Sequence, residues 1–382
     1  MRYVTAGESH GKALVTIVSD VPAGVSIEAA AIDRDLARRQ VGYGRGGRMR
    51  IETDRALIVS GVRFGMTIGS PVALSISNKD WDNWLDVMAV SGPRADSVAR
   101  VTAPRPGHAD LAGCQKIASD DVRDVLERAS ARETAARVAA GAVAKTLLSA
   151  VGVEVVSYVE RIGDVTCAVD PKSVDIESVE ASDVRCPDAG AAQAMRDAID
   201  AAASAGESLG GVFVVRATGL VPGIGGYAEA AQRLDARVGA ALLSIPAVKG
   251  VEFGDGFVGA ARPGSEVHDP IVYEPGVGIT RTSNHAGGLE GGMTNGQALV
   301  ARAAMKPIPT LMKPLASVDL DTLEAIDASR ERSDVCAVPA AGVVAEAEVA
   351  MVLADAYMDK FGHDCLADII VALEAYCERI AR

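Results

Sequence analysis

The chain has 382 residues, of which 49% are hydrophobic but only 4% aromatic, so its core must be built from Ala, Val, Ile and Leu. A net charge of −13 repels nucleic acid and anionic membranes, and any anionic ligand has to be held by a local basic cluster. Its length admits two or three domains, yet single-domain folds reach this size, and no linker, charge block or repeat divides it. One domain over residues 1–382 is therefore expected. The segment MRYVTAGESHG lacks the cationic-then-apolar pattern of a signal peptide, and no apolar run approaches about 18 residues. These features point to the cytoplasm and away from membranes. The six cysteines show no CxxC spacing and read as reduced, mostly buried thiols rather than a zinc site or a disulfide framework.

Taken in chain order, the apolar runs predict strands at Ala13–Val18, Ala56–Val62, Val72–Ile76, Val153–Ile162 and Gly211–Ala217. Helical periodicity falls at about residues 28–40, 130–151, 190–205, 228–243, 342–360 and 364–380. Strands are grouped and long helices lie between the groups, which favours an α+β arrangement of antiparallel sheets packed on helices over a doubly wound sheet. The clearest helix start is Ser130-Ala-Arg-Glu133, a capping box. The Ala-rich segment behind it is apolar nearly all round, the mark of a central, buried helix, and Gly141 lets another backbone come close.

Residues 42–47, GYGRGG, match GxGxxG. They follow a helical pattern and lead into an extended one, the reverse of a dinucleotide-binding context. The same stretch carries Arg38, Arg39, Arg45, Arg48 and Arg50 with no acid among them. Guanidinium forks match phosphate and carboxylate oxygens two at a time, so an anion site is expected here; a solvated basic loop is the plainer alternative. Arg128, Ser130 and Arg132 surround the capped helix start, where free amides and the helix dipole also favour an anion.

Of five histidines, His10 lies between glycines in Gly7-Glu-Ser-His-Gly11 and His108 in the turn Arg105-Pro-Gly-His-Ala-Asp110. Both are placed for proton exchange near neutral pH, or are simple loop histidines. His268 and His363 read as surface residues, and no metal-ligand spacing occurs. The glycine-rich run 283–296 suits a backbone that approaches a flat ligand, with Met305-Lys-Pro-Ile-Pro-Thr310 beyond it. Arg332-Ser-Asp334 is by itself a weak signal.

Together, GESHG, RRxxGYGRGGRM, RPGHAD, RASARETAARVAAG, AVKGVEFGDGF, NHAGGLEGGMTNGQ, MKPIPT and RSDVCAVPAAGVV resemble, in order, the signature blocks of the chorismate synthase family. The resemblance runs from residue 7 to about residue 345. It implies a β-α-β sandwich, two antiparallel sheets around a helical layer, assembled as a homotetramer. The implied reaction is anti-1,4 elimination of phosphate from 5-enolpyruvylshikimate 3-phosphate, giving chorismate, with reduced FMN required and no net redox change. It implies that His10 protonates or stabilises the leaving phosphate, that His108 sits beside the reduced flavin, and that Asp334 helps to move the substrate proton. Arg39, Arg45 and Arg48, with Ser9 and Arg132, would grip the substrate; in members that also reduce flavin, Arg39 and Arg45 are associated with NADPH. Arg128, Ala129, Ser130, Pro246, Ala247, Gly291, Lys306, Pro307, Ile308, Pro309, Thr310 and Arg332 resemble the FMN contacts. Pro246, Ala129 and Pro309 depart from the commoner residues at their positions, which bears on side-chain contacts more than backbone ones.

Overall fold

The computed structural model describes residues 1–46, 53–330 and 334–381. The main elements run β1 (Arg2–Ala6), β2 (Ala13–Ser19), α1 (Ala29–Gln40), β3 (Ala56–Ser60), β4 (Val72–Ser77), α2 (Asp110–Ile117), α3 (Arg123–Ala129), α4 (Thr134–Ala150) and β5 (Glu154–Ile162). There follow α5 (Ala189–Ala205), β6 (Gly211–Thr218), α6 (Leu234–Leu243), β7 (Val248–Phe253), β8 (Leu299–Met305), α7 (Val338–Phe361) and α8 (Leu366–Ile380). β1, β2, β4 and β3 form one antiparallel sheet in that order; β7, β8, β6 and β5, with the short strand Val165–Thr166 at the edge, form the other. α4 packs on β2 and β4, α7 packs on β5 and β6, and α4 and α7 pack on each other. The helices are thus a layer between two sheets, as expected.

Alternation explains the first sheet. Leu14, Thr16 and Val18 of β2 and Val72, Leu74 and Ile76 of β4 face inward and are buried, as one covered face of an antiparallel sheet requires. The central helix does bury almost every side, but α4 begins at Thr134, four residues later than the capping box predicts. Ser130 instead caps a short 3₁₀ turn, accepting from the Arg132 amide, and Glu133 pairs with Arg137 at 2.8 Å rather than reaching back. The Arg137 guanidinium is the stronger partner, being charged. The expected helix at 228–243 is preceded by a 3₁₀ turn and starts at Leu234, while that at 342–360 extends back to Val338 with a proline in its first turn. β1, β7, β8, α2 and α3 were not legible in the apolar pattern.

Gly141 sets the spacing between the two central helices. A Cβ placed there would lie 2.2 Å from the Ala347 Cβ and 2.3 Å from its Cα. Gly141→Ala is therefore expected to destabilise by about 1–3 kcal/mol through overpacking, although alanine is the better helix former by about 1 kcal/mol. A fall in the thermal midpoint checks this; a rise would mean that α4 and α7 separate freely.

α7 is apolar in outline, yet Glu346 within it is fully buried. Its carboxylate accepts from both Arg38 Nη atoms at 2.8 Å, from Lys145 at 2.8 Å, from Ser157 at 2.8 Å and from Arg185 at 3.3 Å. Arg38 thus turns into the core and belongs to this network rather than to an anion site.

Candidate active site

The loop carrying His10 leaves β1 through Gly7, whose φ of +103° and 2.3 Å clearance from the Ala13 carbonyl to a built Cβ exclude a side chain. The loop closes on itself through Gly11 N to Glu8 O at 3.2 Å. Asn78 clamps it, donating to the Glu8 and Gly11 carbonyls at 3.1 and 2.7 Å. His10 is thereby laid against α3, with Nδ1 3.0 Å from both carboxylate oxygens of Glu127. Burial alone would raise the Glu127 carboxyl, but hydrogen bonds and charge from His10 and the Arg123 cation hold it below its ordinary value.

Beside His10 lies a cluster of three arginines. Arg132 donates from Nη1 to both oxygens of buried Asp54 at 2.7 Å and from Nε to Asn78 Oδ1 at 3.0 Å. It is thus anchored in the wall, and its pairing leaves less of it for a ligand than the sequence implied. Arg45 places Nη1 3.3 Å from Asp334, which also accepts from the Gly46 amide at 2.6 Å. The Val335 amide donates to the Gly44 carbonyl at 2.8 Å, so the arginine loop and the Asp334 segment are stitched together. Arg39, at the end of α1, donates to Thr134 Oγ1 at 3.0 Å and to the Ala131 carbonyl at 3.2 Å. Its Nη1 is buried without a hydrogen-bond partner, 3.7 Å from Asp54. Burial, and then the neighbouring Arg45 cation, push its guanidinium down to about 9. Among these described residues, three guanidinium groups (Arg39, Arg45 and Arg132) face two carboxylates (Asp54 and Asp334), and a bound anion would redress that excess.

The facing wall is the RPGHAD turn. Asp110 opens α2 and accepts from Arg105 Nε at 2.8 Å and Nη2 at 3.1 Å, and from His108 Nδ1. Although burial opposes it, these partners hold the Asp110 carboxyl well below the usual carboxylate range. A carboxylate on Nδ1 leaves Nε2 as the ring nitrogen for a ligand. Arg105 also reaches Thr310 at 3.1 Å, and Lys306 donates to the Gly107 carbonyl. The Lys306 amide donates to Ala247 O at 2.9 Å. Three loops far apart in sequence are thus joined along one edge.

These walls enclose a cavity of about 850 Å³, near the upper end of the ~300–1,000 Å³ common for small-molecule sites. Ser9, His10, Arg39, Arg45, Arg132 and Asp334 line it, as do His108, Ala129, Ser130, Pro246 and Ala247, with Lys306, Ile308, Pro309 and Thr310. Arg48 and Arg332 lie outside the described residues. Arg128 is not in the lining: it ends α3 rather than starting a helix, and its guanidinium is spent on the Gly7 and Thr5 carbonyls. Pro307 packs its backbone on Gly210, and Gly291 sits in the turn between the short strands Leu289–Glu290 and Met293–Thr294, also outside the lining. Within 283–296, Gly287 and Gly292 make close backbone approaches to Gly254 and Gly226, whereas Gly291 has open space where a Cβ would stand.

The sequence reading missed Asp80, Trp84 and Arg105 in the lining, and Glu127, Asp110 and Asn78 behind it. Trp84, one of only two tryptophans, and Asp110, two residues beyond His108, were visible signals. Glu127 and Asn78 carry none. Among the described residues no cluster of metal ligands occurs and no helix is long and apolar enough to cross a membrane.

The family model for chorismate synthase matches residues 1–358. A chorismate synthase of Symbiobacterium thermophilum is 57% identical, with all of both chains covered. One from Desulforudis audaxviator is 56% identical over all of this chain and 98% of its own. A crystal structure of chorismate synthase superposes with a TM-score of 0.80 at 39% identity, covering 100% of this chain and 98% of that one. With the fold, the arginine cluster and the paired histidines accounted for, this chain belongs to the chorismate synthase family.

Proposed function

We propose that the chain catalyses the anti-1,4 elimination of phosphate from 5-enolpyruvylshikimate 3-phosphate, giving chorismate for aromatic amino acid biosynthesis. It acts as a carbon–oxygen lyase. The observation that carries the placement of the substrate is buried Arg39, with Nη1 lacking a hydrogen-bond partner and its guanidinium pushed down to about 9. A substrate with one phosphate and two carboxylates offsets that excess. Arg39 and Arg45 bind and orient it, with Arg48 extending the cluster in sequence and Arg132 bracing the wall. As the carbon–oxygen bond breaks, the electron pair leaves with the phosphate, and His10 hands a proton to that oxygen. Asp334, held by Gly46 and Arg45, is the carboxylate that helps to move the substrate proton.

The rest of the lining fits a flavin mononucleotide. Ala129, Ser130, Ala131, Pro246 and Ala247 are small or flat, so a ring system can approach, and Lys306 and Thr310 offer a cation and a hydroxyl. Reduced FMN, when bound, supplies an electron-rich ring that is regenerated at each turnover. His108, fixed by Asp110 and Arg105, presents Nε2 toward that space and stabilises negative charge there. In family members that also reduce flavin, Arg39 and Arg45 are the positions associated with NADPH, and both line this cavity.

Self-association into a homotetramer is supported by the outer face of the first sheet, where Val4 (71%), Leu57 (68%) and Val59 (62%) are exposed, an apolar patch of the sort that marks an interface. The free cysteines support a cytoplasmic location.

The test is anaerobic phosphate release from 5-enolpyruvylshikimate 3-phosphate with chemically reduced FMN. Stoichiometric phosphate and chorismate are expected, and no release refutes the assignment. Turnover in air with NADPH and oxidised FMN reads separately whether the chain reduces its own flavin.

A further inference from the structure

The ring of His10 is restrained by two groups, Glu127 and Trp84, to which the proposed function gives no part. Glu127 is held at the end of α3 with its side chain only 2% exposed. Its backbone carbonyl accepts from the Ser9 amide at 2.9 Å. Its Oε2 accepts from the His10 amide at 2.9 Å, and both oxygens lie 3.0 Å from His10 Nδ1. One face of the imidazole is covered by Trp84, with ring centroids 3.7 Å apart and planes inclined by 27°. Trp84 is itself fixed, donating from Nε1 to Asp80 Oδ2 at 2.9 Å. Arg123 joins the two restraints, pairing with Glu127 Oε1 at 2.9 Å and placing its guanidinium carbon 5.3 Å from the Trp84 ring centroid.

A buried carboxylate accepting from Nδ1 dictates where the imidazole keeps its proton, and so which nitrogen meets the substrate. Stacking fixes the remaining freedom, rotation of the ring plane. We infer that Glu127 and Trp84 are positioning residues for His10: the carboxylate keeps one ring proton on Nδ1 in both charge states and the indole face holds the plane, so that Nε2, carrying the second proton of the imidazolium, meets the leaving phosphate oxygen and the Nδ1-protonated neutral ring is what remains after transfer. The inference rests on the proposed role of His10, but the placement of the ring can be measured without turnover.

The test is the ¹⁵N nuclear magnetic resonance signature of His10 in histidine-labelled protein, assigned by its loss in His10→Ala. Wild-type protein is expected to show the Nδ1-protonated pattern for the neutral ring, and Glu127→Gln to lose it to a mixture of tautomers. In turnover with reduced FMN, Glu127→Gln is expected to lower kcat by about 10- to 100-fold, part of the ~10²–10⁴ that a positioned proton donor supplies. KM should stay within a few-fold, and Glu127→Asp should recover part of the loss. A folded Glu127→Gln protein whose His10 keeps the wild-type tautomer overturns the inference, whatever its rate. Should that variant not fold, Trp84→Leu serves: a His10 resonance and kcat both unchanged overturn the stacking role. Full activity in His10→Ala would remove the proton-donor role of His10 and leave the tautomer result standing, so the two failures are distinguishable.

Discussion

His10→Ala and His108→Ala each lower kcat with reduced FMN by about 10²-fold or more, the scale on which a positioned acid–base group contributes. The two losses have different origins. His10 lies in the same cavity lining as the arginine cluster proposed to hold the substrate phosphate, so its removal would leave the departing anion without a proton source. His108, wedged between Arg105 and Asp110, lines the part of the cavity proposed for the flavin, so its removal would withdraw a hydrogen-bonding group from charge that grows during the reaction. Single-turnover phosphate release under anaerobic conditions measures both. Binding of substrate should survive in each variant because Arg39 and Arg45 are intact. Near-normal rates in both variants would leave only an anion-binding protein with this fold, and the assignment of the cavity as a catalytic centre would fall.

Glu346→Gln is expected to cost about 3–5 kcal/mol of folding stability at neutral pH, the range for breaking a buried ion pair from one side. The substitution keeps the shape but strands Arg38, Lys145 and Arg185 around a neutral amide. Burial alone would raise the Glu346 carboxyl; Lys145 and Arg38, and then Arg185, hold it far below the ordinary 4.5. A carboxyl depressed in the folded state stabilises above its unfolded value and loses that contribution as the pH falls through the folded one. The gap between wild type and variant should therefore be full at pH 7 and shrink progressively below about pH 4.5. Urea midpoints across that range measure it. A gap that persists unchanged into acid would mean that Glu346 acts through packing rather than charge.

Periodicity was enough for the architecture because it reports which face of each segment seeks cover. The strand runs at 13–18 and 72–76 and the helix at about 190–205 are where alternation or helical spacing is clean, and the structure places elements there. β7 and β8 were hidden for a physical reason. β8 reads Leu-Val-Ala-Arg-Ala-Ala-Met, a central strand of small residues with no alternation of polarity. Helix starts were displaced where a charged neighbour outcompeted the local cap, as Arg137 does at Glu133. The glycine-rich run misled because glycine marks close approach without saying to what. Gly287 and Gly292 approach other backbone.

The amino-acid sequence by itself determined the layered α+β fold, the family, the basic segment at 38–50 and the two glycine-flanked histidines, because these are local patterns or ordered motifs. Only the tertiary structure decided what each charge does. Adjacent Arg38 and Arg39 point to opposite duties: one joins the buried network around Glu346, and the other faces the cavity with an unmatched donor. The partner of His10 lies 117 residues away in Glu127, and Arg132 is braced by Asp54, 78 residues distant. Ion pairs and hydrogen bonds are chosen by proximity after folding, and spacing along the chain carries no record of that choice.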